Sequence, residues 1–77
     1  MKRSPRKTKF GTLLRRAREK RGLSLRDVEE ATGLLNGGIS HIENGRSVPS
    51  LTTAIILCKF YGLPLKKLAA AVAEEEL

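Results

Sequence analysis

The sequence has no tryptophan, and aromatic residues fill only 4% of its 77 positions. That scarcity argues against a stacking platform for sugars or single-stranded bases. The one cysteine, Cys58, cannot close an intramolecular disulfide, and the absence of any CxxC or Cys/His cluster excludes a structural zinc site. No apolar run approaches the roughly 20 residues that cross a bilayer. The basic start, MKRSPRKTKF, lacks the apolar segment of a secretory signal. A reducing, cytoplasmic setting is therefore expected. Catalytic groupings are scarce too. With one histidine, no nucleophile–base motif and no paired carboxylates in a plausible cleft, neither an enzyme nor a bound metal or cofactor is expected.

What the chain does have is positive charge. Fifteen Lys and Arg against eight acids give a net charge of +7. An excess of that size on one small domain calls for a polyanionic partner. The charge is also segregated: residues 1–26 hold eleven basic residues and one acid, Glu19, whereas residues 27–77 hold four basic residues and seven acids. One face of the folded domain should therefore meet an anion.

Residues 1–8, MKRSPRKT, lack periodicity and read as a basic arm ahead of a domain over 9–77. Five short helices follow. The first, 9–21, carries Phe10, Leu13, Leu14 and Ala17 at the spacing of one buried stripe, with Arg15, Arg16 and Glu19 turned outward; Gly22 ends it. The second, 25–32, has Ser24 as N-cap with Asp27 three residues on, Val28 and Ala31 inward and Gly33 at its end. The third, 37–43, takes Asn36 as N-cap, buries Ile39 and Ile42, and stops at Gly45. Gly37 and Gly38 each cost it roughly 1 kcal/mol against alanine, so packing must hold it. The fourth runs from Leu51 to Tyr61 between Ser50 and Gly62, with Leu51, Ala54, Leu57, Cys58 and Tyr61 on the core side. The fifth begins near Pro64 with Leu65, Leu68, Ala69 and Val72 inward. Its end, Glu74–Glu76, puts negative charge at the negative pole of the helix and should fray. No strand pattern appears, so the expected fold is all-α.

Helices two and three, joined by a turn that Gly33 permits, have the spacing of a helix-turn-helix, in which the third helix is pushed outward toward a major groove. Ser24 through Gly33, the IxxIENG run of Ile39–Gly45, the PSL of Pro49–Leu51 and the GLPL of residues 62–65 resemble the Cro/phage-repressor type, or xenobiotic-response-element, family over Phe10 to Ala69. The resemblance implies a five-helix, lambda-repressor-like domain that binds operator DNA, commonly as a dimer. Two departures stand out. Glu29 replaces the alanine usual where helices two and three approach, and Gly37 and Gly38 replace polar side chains that help read bases.

The resemblance places Asn36, Gly37 and His41 at base edges; Asn36 suits adenine, or is a helix cap and nothing more. Ser24, Arg26, Ser40, Asn44, Arg46 and Ser47 are the candidate phosphate contacts, holding register without reading sequence. It also implies a partly buried ion pair between Arg18 and Glu43 that ties helix one to helix three. Lys2, Arg3, Arg6, Lys7 and Lys9 form the arm, within which Ser4–Lys7 resembles the SPxK motif of minor-groove-binding tails. Ile56 and Phe60, opposite the core side of helix four, either face a dimer partner or lie under helix five.

The expected function is a sequence-selective, repressor-like regulator of transcription that binds double-stranded DNA as a homodimer, nucleoid-associated when bound, with no membrane partner. The alternatives are an antitoxin-type autoregulator with a toxin or other protein partner, and a non-enzymatic adaptor that reuses the fold to associate with RNA.

Overall fold

A computed structural model describes residues 7–76 as five helices. They are α1 (Lys9–Lys20), α2 (Leu25–Thr32), α3 (Asn36–Glu43), α4 (Leu51–Tyr61) and α5 (Leu65–Glu76). No strand occurs among the described residues. The core is Phe10 and Leu14 from α1, Val28 from α2, Ile39 and Ile42 from α3, Ala54, Leu57, Cys58 and Tyr61 from α4, and Leu68 from α5. The first helix is the hub, packing on α3, α4 and α5, while α2 lies against α3 and α4. Every helix therefore contributes to one core, as a chain of this length requires.

Local chemistry sets the helix ends. The Ser24 hydroxyl accepts from Asp27 N–H at 3.0 Å, and the Asp27 carboxylate accepts from Ser24 N–H at 2.8 Å, a reciprocal capping box. Those bonds hold the Asp27 carboxyl below its ordinary pKa, the backbone N–H of Ser24 being the larger cause. Gly33 ends α2 at φ 83°, a left-handed conformation that only glycine adopts cheaply. Ser50 caps α4 by accepting from Thr53 N–H at 3.1 Å.

Several expectations change. Thr8, placed in the arm, is a buried N-cap whose hydroxyl accepts from Gly11 N–H at 3.0 Å. Lys9 is not part of an arm: it opens α1 and its ammonium pairs with Glu74 at 2.5 Å. That bond raises the Lys9 pKa. At the other end of the chain, α5 is helical to Glu76, with Glu74 and Glu75 bonded to Lys9. Asn36 is the first residue of α3 rather than its cap; the cap is Leu35, which has no side-chain bond to offer. Ala31, Leu51, Leu65 and Ala69 are exposed, not core. Leu51, 69% exposed, lines a shallow apolar groove with Pro49, Leu65, Ala69 and Val72 between α4 and α5. Periodicity marks an apolar stripe, but only packing decides which of its members acquire neighbours.

Two contacts between distant segments complete the frame. The Arg21 guanidinium donates to the carbonyls of Phe60 and Tyr61 at 3.0 and 3.2 Å, satisfying the C-terminal end of α4. Gly11 brings α1 directly onto the end of α3. A Cβ there would sit 2.5 Å from Glu43 O and 2.9 Å from Ile42 O.

Candidate nucleic-acid interface

The third helix presents two faces. Ile39, Ile42 and Glu43 are buried. Gly37, Ser40, His41 and Asn44 lie on the other side by helical spacing; Gly37 and His41 are exposed, Ser40 and Asn44 half-buried. Nothing lies within 4 Å of where a Cβ would stand on Gly37 or Gly38, so bare backbone is open at the start of this face. Leu35, 74% exposed at the tip of the turn, adds an apolar surface beside it.

This helix is held rigidly from behind. The Arg18 guanidinium donates to both Glu43 carboxylate oxygens at 2.8 and 2.9 Å, and to Leu23 O at 2.8 Å. Glu43 is only 5% exposed. The bidentate bond raises the Arg18 pKa against the lowering effect of burial. The ion pair between α1 and α3 implied by the family resemblance is thus present in the structure. Arg15, expected to point away, extends it: its guanidinium donates to Asn44 Oδ1 at 2.5 Å and lies 3.5 Å from Glu43. Asn44 in turn donates to Ser40 Oγ at 3.3 Å. Lys7, Arg15 and Arg16 border a hollow of about 430 Å³ beside Asn44, together with Glu19 and the ion-paired Glu43.

The front of the helix is held by Glu29. Its Oε1 accepts from Asn36 N–H at 2.8 Å and also from the Asn36 side-chain amide. These bonds, the backbone one foremost, keep the Glu29 carboxyl below its usual pKa. A residue of α2 thereby supplies the N-terminal cap that Leu35 cannot. No local pattern announces this link, because the partners are seven positions apart on two helices.

The remaining candidates fall around this face or away from it. Arg46 and Ser47 are exposed in the loop after α3, where Arg46 N–H bonds His41 O at 2.8 Å. Arg26 is exposed on the first turn of α2, and the Ser24 hydroxyl is exposed but engaged in its capping box. Lys2, Arg3 and Arg6, with most of the SPxK segment, lie outside the described residues. Ile56 and Phe60 are half-buried; Phe60 packs against the core beneath the Arg21 guanidinium, 5.8 Å from its ring centroid. No cluster of His, Cys, Asp or Glu able to hold a metal occurs among the described residues. No helix among them is long and apolar enough to cross a membrane.

A buried, ion-paired scaffold presenting one short helix with cationic flanks defines a DNA-binding helix-turn-helix domain of the lambda-repressor-like type, the fold of transcriptional regulators. The chain belongs to the helix-turn-helix domain family, whose model matches residues 9–71. It is similar to the restriction-modification controller protein C.AhdI from Aeromonas hydrophila, with 28% identity over 79% of this chain and 92% of that one and a TM-score of 0.72. The DNA-binding domain of BldD from S. venezulae is 30% identical over 79% of this chain and 91% of its own, with a TM-score of 0.70. The clp gene regulator ClgR from Corynebacterium glutamicum is 26% identical over 88% of this chain and 72% of its own, with a TM-score of 0.73. No curated protein matches the sequence.

Proposed function

We propose that the protein is a sequence-selective, repressor-like regulator that places α3 in the major groove of double-stranded DNA. The observation that carries this reading is the exposed face of Gly37, Ser40, His41 and Asn44, fixed from behind by the buried Arg18–Glu43 pair. His41 and Asn36 supply hydrogen-bonding groups for base edges. The bare backbone at Gly37 and Gly38 allows close approach, and Leu35 suits a thymine methyl group. Arg26, Arg46 and Ser47 bind phosphates on either side, setting register. The protein acts as a homodimer, and the apolar groove of Leu51, Leu65 and Ala69 is a better candidate for its contact than Phe60, which the core and Arg21 already occupy.

Selection of bound sites from a random duplex pool at physiological salt tests the reading. It predicts one enriched motif, repeated as two half-sites about one helical turn apart. Equal binding to RNA, single strands and unrelated duplexes would instead favour an adaptor that reuses the fold.

A further inference from the structure

The geometry points to Glu29 as a positioning residue that sets which bases Asn36 accepts, an inference that rests on the DNA-binding reading above. A carboxylate only accepts hydrogen bonds, so Asn36 must turn its NH₂ group toward Glu29. The amide is then oriented: Glu29 holds its nitrogen, and Oδ1, which has no partner among the described residues, is the acceptor left for a base edge. A free asparagine can present either its oxygen or its nitrogen to a base edge. This one presents an acceptor.

Acceptors select donors. In the major groove the exposed amino groups belong to adenine (N6) and cytosine (N4), whereas guanine O6 and thymine O4 are acceptors that would oppose Asn36 Oδ1. The negative charge of Glu29 beside the amide strengthens the same choice. Gly37 and Gly38 contribute no side chain to the same stretch of groove, so the oriented amide carries an unusually large share of the readout there. The glutamate that departs from the family's usual alanine is thus a specificity device as well as a cap.

The test is a base-by-base binding profile from the same kind of duplex selection, run on the wild type, N36A, E29A and E29Q, with thermal melts alongside. The wild type should prefer adenine or cytosine about tenfold over guanine or thymine at one position of the half-site, the size of one base-edge interaction. N36A should erase the preference at that position alone. E29A should reduce it to below about twofold or admit guanine there. E29Q, whose carbonyl oxygen still accepts from Asn36, should retain it while binding all duplexes more tightly through the loss of one negative charge. A melt showing E29A unfolded would leave E29Q and N36A to decide. An unchanged profile in folded E29A, or a wild-type preference for guanine or thymine at the position lost in N36A, would overturn the inference. Failure of the wild type to bind any duplex would remove the DNA-binding reading itself, a different outcome from a shifted profile.

Discussion

A single missing Cβ shows how far local preference can mislead at the scale of the residue. Gly11 lies inside α1, where alanine would ordinarily gain about 1 kcal/mol of helix stability. Its Cβ would meet backbone carbonyls of Ile42 and Glu43, which no rotamer change can move aside. We therefore predict that G11A destabilises the domain by about 1–3 kcal/mol, the range for overpacking, as read by denaturant unfolding. Tyr61 gives a second prediction. It is 7% exposed, its hydroxyl has no hydrogen-bond partner among the described residues, and burial pushes its pKa up to about 12 from 10.0. Because the folded value is the higher one, the associated stability is intact below pH 10. It is lost as pH rises through about 12, a decline worth about 2–3 kcal/mol in all. Y61F should flatten that alkaline decline and be neutral or slightly stabilising at pH 7, measured as Tm against pH.

Local chemistry explains the elements, and distant chemistry explains how they are tied. Ser24, Gly33, Ser50 and Gly62 act within their own turns, which is why four helix ends could be read directly from the sequence. The links from Glu29 to Asn36 and from Arg21 to the end of α4 join separate elements and leave no spacing to recognise. Leu51 and Leu65 satisfy a helical stripe, yet where α4 and α5 pack on each other these two residues are left exposed along the groove between them. The Arg18–Glu43 pair was accessible only through family resemblance. Its energetics follow from burial: E43A should cost about 3–5 kcal/mol by leaving Arg18 uncompensated, detectable as a lowered midpoint in urea. A double change of Arg18 and Glu43 to apolar residues of similar size should recover most of that loss.

For the whole molecule, the segregated charge becomes a spatial fact: Lys7, Arg15 and Arg16 gather beside the end of α3, while the acids of α5 are drawn to Lys9. On the proposed reading, phosphates would be attracted from around the α3 face rather than by charges on it. R46A should weaken all duplexes alike and lower the slope of log affinity against log salt by about one, measured by fluorescence anisotropy. A loss confined to one sequence would move Arg46 from the backbone to a base. Whether α3 enters the groove is read by an amide chemical-shift map of the protein titrated with a selected duplex. The glycine amides of 37 and 38 make convenient reporters, since both residues are exposed and nothing lies within 4 Å of where a Cβ would stand. The largest shifts should run from residue 36 to residue 47, with α5 nearly silent. Shifts centred on α4 and α5, with Gly37, Gly38 and His41 unmoved, would contradict the entry of α3 into the groove.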